Sequence, residues 1–327
     1  MKIVVYNLRE FDEKPFFDKY CEMYGYEYIG TPLAPSYENA ELAEGAEAIS
    51  IIPCKMDREL IRRFHNLGVK YITTRSVGAE HIDVIYARAL GMRVSNVSYS
   101  SDSVANYAIM LMLMGCRKMK QIMERASIQD YSLKGKMGKE LSECTVGVIG
   151  TGKIGTTVLR HLSGFGCRLL ACSRTKRKEA EKYAAYVSLE KLYQEADIIS
   201  LHLLGIEKFH HMISESAIAQ MKQGVMLINT SRGSLIDEGA LIRGLDGGKI
   251  GFAGLDTIEN ETGLYYFNHT GKILRNHNLA ILQSYPNVIV TSHNAFYTDK
   301  AIADQVECTI KNIDAFENNK ETVNEIH

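Results

Sequence analysis

The chain has 327 residues, 46% of them hydrophobic and 24% charged, with a formal net charge of −1. That length suffices for two domains with cores of their own, and the near-neutral balance gives no electrostatic reason to expect nucleic acid or a membrane surface as partner. The opening MKIVVYNLREFDEK holds too short an apolar run for a signal peptide, and the most apolar run, residues 104–116, falls short of the ~20 residues of a membrane span. Seven scattered cysteines form no C-x-x-C, so reduced thiols and a cytoplasmic location are expected rather than a disulfide or zinc framework.

In chain order, residues 2–6, 26–30, 48–52, 70–74 and 93–97 read as short strands, with helices predicted over 11–23, 58–66 and 82–90. Gly68 and Gly91 stand where helices end. This alternation predicts a parallel sheet with helices on its faces. A long apolar helix is predicted over 102–125, too apolar to face solvent, and so expected between domains or at a subunit interface. A polar stretch, 127–142, leads to a second array with strands at 145–149, 168–173, 196–201, 225–229, 251–255 and 288–291. Helices are expected around 214–221 and 237–244, with a final one over 301–318 returning to the first array. Residues 259–284 read as a long, weakly patterned connection. The fold class expected is α/β: two Rossmann-like or flavodoxin-like doubly wound parallel-sheet domains separated by a cleft. Residues 1–98 plus 298–327 would form a substrate domain, and 99–297 a dinucleotide-binding domain inserted between its parts.

The stretch 145–174 organises the chain. After the strand TVGVI come Gly150, Gly152 and Gly155 in G-x-G-x-x-G spacing, then an amphipathic helix and a second strand. In such a unit the first glycine makes the tight turn, the second lets the backbone approach a pyrophosphate, and the third lets helix and strand pack. The helix N-terminus adds unpaired N–H groups and a positive dipole end. A dinucleotide site is expected; the alternative is a Gly-rich turn without a ligand. The carboxylate that usually follows ~20 residues on is missing, because the second strand ends in Cys172, Ser173, Arg174, Thr175 and Lys176. Ser173 can donate to a 2′-phosphate and Arg174 can pair with one. The expected cofactor is NAD(P)(H), leaning to NADP(H); the alternative is that the basic run is only a solvated helix start.

Ligands in open α/β sheets sit beyond the carboxyl ends of the strands. Three strand ends of the second array carry Arg232 in NTSRGSLID, Glu261 in DTIENE and His293 in SHNAFYT. Reduction of a 2-keto acid needs such groups: a cation for the carboxylate and keto oxygen, a proton donor, and an acid to favour imidazolium. Taken singly, a strand-end His is more often structural, and an Arg in such a loop is often a surface contact. His202 is a second candidate near the cofactor. His210 and His211 are adjacent, a poor spacing for ligands, and no H-E-x-x-H, G-x-S-x-G or P-loop occurs, so no metal site is expected.

The stretches TRSVGAEHID (74–83), NVSYSSDSVANYA (96–108), TVGVIGTGKIG (145–155), NTSRGSLID (229–237), LDTIENE (255–261) and SHNAFYT (292–298) carry a resemblance over nearly the whole length. The chain resembles the D-isomer-specific 2-hydroxyacid dehydrogenases, and within them is most similar to D-lactate dehydrogenases of the vancomycin-resistance type. The resemblance implies stereospecific reduction of a small 2-keto acid, pyruvate first. It implies that Arg232 binds substrate and that His293 is the acid/base, oriented by Glu261. Backbone N–H groups of Val77 and Gly78 would hold the substrate carboxylate, with Tyr99 and Phe296 lining the pocket. Gly150, Gly152, Lys153, Ile154 and Gly155 would cradle the pyrophosphate. Ser173, Arg174, Thr230 and Asp256 complete the implied cofactor set. A homodimer through the nucleotide domain and long helix is also implied.

Three positions depart from the family's usual residues: Ser101, Leu204-Gly205 and Ser292. None removes a catalytic group. Tyr265, Tyr266, Phe267 and Phe296 leave open a pocket for bulkier branched or aromatic 2-keto acids. Glu261 argues against formate dehydrogenase chemistry, and the absence of an extra regulatory domain argues against phosphoglycerate dehydrogenase. A cofactor-sensing binding protein on the same fold is the alternative from another class.

Overall fold

The computed structural model describes all residues, Met1–His327. The first hundred residues run β1 (Lys2–Val5), α1 (Lys14–Tyr24), β2 (Glu27–Gly30), β3 (Ala48–Ile51), α2 (Arg58–Asn66), β4 (Tyr71–Thr74), α3 (Val84–Ala89) and β5 (Arg93–Ser95). Helices α4 (Ser101–Cys116) and α5 (Met119–Ser127) follow, then β6 (Thr145–Ile149), α6 (Lys153–Leu162), β7 (Arg168–Cys172), α7 (Lys178–Glu181), β8 (Ala185–Tyr186) and α8 (Leu189–Glu195). Next come β9 (Ile198–Leu201), α9 (Glu215–Gln220), β10 (Val225–Asn229), α10 (Glu238–Asp246), β11 (Ile250–Leu255), α11 (His277–Ser284), β12 (Val288–Val290) and α12 (Asp299–Glu317). They form two compact units, Met1–Ser100 with Tyr297–His327, and Ser101–Phe296. No helix is long and apolar enough to cross a membrane.

In the first unit the strands lie in the order β2-β1-β3-β4-β5, all parallel. This is the flavodoxin-like doubly wound order. Strand β3 is buried at every residue, as expected for a parallel strand covered on both faces. Side-chain caps start its helices: Asp57 accepts from Leu60 N and Asp83 from Tyr86 N. Helix α12 packs Val306, Ile310 and Ile313 against Ile3, Val5 and Phe17.

A buried cation ties the strand ends of this unit together. Arg75 leaves β4 fully buried and donates from Nε to Glu13 Oε1 (2.9 Å), from Nη1 to Ser50 Oγ (2.9 Å), and from Nη2 to the carbonyls of Tyr6 (3.0 Å) and Asn7 (3.2 Å). Those partners come from the starts of α1 and the ends of β1 and β3. The bonds offset the desolvation that a buried ion pair would otherwise suffer.

The second unit has the order β12-β11-β10-β9-β6-β7-β8, again all parallel. The chain runs outward from β6 through β7 to β8, then returns to β9 on the other side of β6. That reversal creates a switch point at the C-terminal ends of β6 and β9, where such sheets bind ligands.

Two expectations need correction. The long helix is two helices, α4 and α5, because Lys118 adopts a left-handed φ of 51°. The break arises where the chain returns: Lys139 N donates to Cys116 O (2.8 Å), and a Cβ on Gly138 would lie 2.5 Å from that oxygen. The connection 259–284 is not structureless either. Asn276 caps α11 by accepting from Leu279 N, and Leu279 and Leu282 are buried, a signal too short to register as periodic.

Removing one partner of a fully buried ion pair strands the other. Arg75→Ala should therefore lose about 3–5 kcal/mol of stability in denaturant unfolding. A loss below about 1 kcal/mol, the range of exposed pairs, would show that Arg75 does not hold these strand ends.

Candidate active site

The turn after β6 is shaped by close backbone approaches. Gly150 has φ +94°, and a Cβ there would lie 2.2 Å from the carbonyl oxygen of His202. A Cβ on Gly155 would lie 1.9 Å from Gly150 O, so α6 sits directly on the turn. Around Gly152, by contrast, a Cβ would meet nothing within 4 Å. Gly152 is the N-cap of α6, no side chain caps that helix, and its first turn has no acid. Open space before a helix start with uncapped donors suits a pyrophosphate. Nearby, Thr230 Oγ1 is buried without a partner at the end of β10. A nicotinamide dinucleotide therefore fits the residues present.

Just after strand β7, Ser173 is half-buried and residues 174–177 are exposed, with no carboxylate among them. A residue absent from the sequence reading organises this corner. The Tyr186 hydroxyl on β8 donates to Thr151 Oγ1 (2.7 Å) and accepts from Arg177 N (3.0 Å), tying the basic loop to the glycine turn. Its only sequence signal is an aromatic residue on a two-residue strand that hydrophobic patterning passes over.

His202 follows β9. Its Nε2 pairs with Ser200 Oγ (2.9 Å), while Nδ1 is enclosed without a partner. Burial of the ring pushes its pKa down to about 4, so it is neutral near pH 7. It cannot serve as the cationic proton donor.

Arg232 follows β10 in a tight turn. Asn229 Nδ2 donates to Arg232 O (2.8 Å), Ser231 N to Asn229 Oδ1 (3.0 Å), and Ser231 Oγ to Leu201 O (2.6 Å). The Arg232 side chain bends so that Nη1 donates to Ser231 O (2.9 Å). Its stem lies over Gly205, where a Cβ would come within 2.7 Å of Arg232 Cγ. The glycine in Leu204-Gly205 thus has a packing reason.

Asp256, immediately after β11, is fully buried. Its Oδ1 accepts from Thr291 Oγ1 (2.6 Å) and Asn294 N (2.9 Å), and its Oδ2 from Ala295 N (2.8 Å). Its carbonyl accepts from His293 N (2.8 Å). The side chain placed in the cofactor set by resemblance spends these bonds on the turn that carries His293. His293 has a left-handed φ of 55°. Its Nδ1 lies 2.6 Å from Glu261 Oε1. A carboxylate only accepts, so the proton of that bond resides on Nδ1 and leaves Nε2 as the other reactive nitrogen. Glu261 is steadied by Ile258 N (3.3 Å) and follows Asn260, itself left-handed at φ 57°.

Two aromatic rings flank the imidazole. Tyr266 lies 5.9 Å and Phe296 6.3 Å from it, centroid to centroid, and they stand 6.5 Å from each other. The Tyr266 hydroxyl donates to His293 O (3.1 Å). Tyr265 instead enters the core, and Phe267 points outward beside His269. Val77, Gly78 and Tyr99 belong to the first unit. In the loop after β4, Val77 O accepts from Asn96 Nδ2 (2.7 Å) and Gly78 O from Ser76 Oγ (2.6 Å). The departures Ser101 and Ser292 make local bonds, to Thr157 Oγ1 (2.8 Å) and from Asn294 Nδ2 (3.1 Å).

Residues 109–295 match the model of the NAD binding domain of D-isomer specific 2-hydroxyacid dehydrogenases. An aromatic 2-oxoacid reductase of Clostridium sporogenes is 40% identical, covering 97% of this chain and 96% of that protein. A D-specific alpha-keto acid dehydrogenase of Enterococcus faecium is 43% identical over 88% of each. The crystal structure of a D-lactate dehydrogenase from Treponema pallidum superposes with a TM-score of 0.91 at 31% identity, covering all of both chains. The chain belongs to the D-isomer specific 2-hydroxyacid dehydrogenase family, oxidoreductases with a nicotinamide cofactor.

Proposed function

We propose that the protein reduces a small 2-keto acid, pyruvate first, to the D-2-hydroxy acid and runs the reverse oxidation. The observation that carries this reading is the 2.6 Å pair of His293 Nδ1 and Glu261 Oε1 at a strand-end turn. In this reading residues 99–297 bind the dinucleotide, and 1–98 with 298–327 supply the substrate-side loop of Val77 and Gly78. Gly150, Gly152, Lys153, Ile154 and Gly155 receive the pyrophosphate. Ser173, Arg174 and Thr230 lie along the rest of the cofactor, while Asp256, buried and bonded to the turn of His293, acts through that turn.

When bound, the nicotinamide supplies the hydride for the keto carbon. Arg232 binds the substrate carboxylate and polarises the keto oxygen through its planar fork of donors. His293 gives the proton on Nε2 to the oxygen that gains charge, and takes it back in the oxidation. Glu261 holds the ring in orientation through its bond to Nδ1. Asp256 keeps the whole turn in place, so it positions His293 rather than reacting.

A second reading, a bulkier aromatic 2-keto acid, is supported by the Tyr266 and Phe296 rings beside His293 and by the aromatic 2-oxoacid reductase relative. Parallel assays with pyruvate and phenylpyruvate separate the two. A kcat/KM at least tenfold higher for phenylpyruvate would displace pyruvate as the natural size class.

A homodimer is proposed through α4, α5 and the segment after them, where Met110 and Met123 on the helices and Leu133 and Met137 beyond α5 are exposed. Exposed large apolar side chains are candidates for such an interface. The seven free cysteines support a reducing, cytoplasmic setting.

His293→Ala should lower kcat by about 10²–10⁴-fold. Reduction needs the protonated imidazole, so its rate should fall as pH rises, while oxidation, which needs the neutral ring, should rise. Unchanged kcat in His293→Ala would refute the assignment.

For the cofactor, NADPH should outperform NADH, and Ser173→Asp should shift the ratio of their kcat/KM values toward NADH by roughly tenfold, the equivalent of about 1.4 kcal/mol. Identical ratios in the two proteins would rule out 2′-phosphate recognition at Ser173. Light scattering should give twice the 36.7 kDa chain mass, and Met110→Lys with Met123→Lys should shift it toward the monomer. A monomeric wild type at micromolar concentration would remove the dimer.

A further inference from the structure

We propose that His210, His211 and Glu259 form a site for one divalent transition-metal ion of the zinc class. The adjacency of the two histidines argues against this in sequence, because neighbours in an extended chain project to opposite sides. The fold removes that objection. His211 adopts a left-handed φ of 51°, and the two imidazoles stack on one side with centroids 3.9 Å apart and planes 28° apart. Both face Glu259, whose Oε1 lies 2.7 Å from His211 Nε2 and 3.9 Å from His210 Nε2. One donor atom from each residue falls within 4.8 Å of the others.

Zinc binds His nitrogen and carboxylate oxygen at about 2.0–2.2 Å, so tetrahedral neighbours stand roughly 3.3–3.5 Å apart. The three donors therefore need only small side-chain rotations to close on an ion. Their side chains are 47%, 34% and 23% exposed, which leaves freedom to rotate and access from solvent. Two imidazoles and one carboxylate with a fourth position for water is an established zinc donor set, and without thiolate it suits borderline metals rather than copper(I).

The backbone behind the donors is fixed. His211 N donates to Ser234 O (2.8 Å), two residues beyond Arg232. Glu259 N donates to Glu238 Oε1 (2.8 Å), and Glu238 is itself buried. The turns touch directly, since a Cβ on Gly233 would lie 2.0 Å from the Ile258 carbonyl carbon. An ion here would clamp the 210–211 segment, itself hydrogen-bonded to Ser234 in the turn after Arg232, to the turn before Glu261. It would take no part in the hydride or proton transfer, so the proposal stands apart from the assignment of His293.

The test uses tag-free full-length protein, stripped with a chelator and titrated with Zn²⁺ against a chromophoric competitor. One Zn²⁺ per chain is expected, with a Kd at or below about 10 μM. Co²⁺ in its place should give the strong visible absorption of a four-coordinate centre, and Zn²⁺ should raise the melting temperature. His210→Ala with His211→Ala should abolish all three effects. Glu259→Gln, which keeps the shape of the side chain, should weaken binding at least tenfold while circular dichroism stays native. Absence of binding at 100 μM Zn²⁺, or binding unchanged in either variant, would overturn the site.

Discussion

The turn that carries His293 in the second unit depends on one buried carboxylate. Asp256 has no solvent exposure, and three donors from residues 291–295 converge on its two oxygens. A charge so buried is tolerable only when its lone pairs are engaged, and charge-assisted bonds are about twice as strong as neutral ones. Those bonds hold a turn in which His293 sits at a backbone angle that non-glycine residues seldom adopt. The strained turn in turn aims Nδ1 at Glu261. Strain of this kind persists where its surroundings over-determine it, and it gathers at functional sites. Asn260 and Tyr266, also left-handed, belong to the same group of turns.

The first unit meets a similar demand with the opposite charge. Its parallel strands end in carbonyls and turns that point one way, and Arg75 gathers two of those carbonyls, a serine and a glutamate. In each unit an enclosed charged group helps fix the geometry of the strand ends, Arg75 paired with Glu13 in the first and Asp256 in the second. The loops beyond them, Ser76 to Gly78 in one and 291–295 in the other, can then carry exposed functional groups on a rigid base.

Membership of the family sets the reaction class, and three further features lie at the edges of the candidate site. One is the second strand end, where hydroxyl and guanidinium groups replace an acid and Tyr186 pins the loop to the glycine turn. Another is Gly205, which makes room for the stem of Arg232. A third is the aromatic pair of Tyr266 and Phe296 beside the imidazole. Each acts through shape or hydrogen bonding around the candidate site residues.

Much of the molecule was legible in the sequence for local reasons. Short β-branched runs, helix caps and the G-x-G-x-x-G spacing are signals carried by neighbouring residues, so both parallel sheets and the position of the dinucleotide turn could be read from them. Arg232, Glu261 and His293 could be named because each follows a recognisable strand. What the sequence left undetermined depends on contacts between distant segments. The break at Lys118 comes from residues 138–139 returning to Cys116, and the duty of Asp256 from a turn some forty residues later. Tyr186 finds Thr151 across two strands, and Glu259 meets a histidine pair nearly fifty residues earlier. Such pairings carry no local period or motif, and only the packed backbone, with its few left-handed residues, decides which side chains face one another.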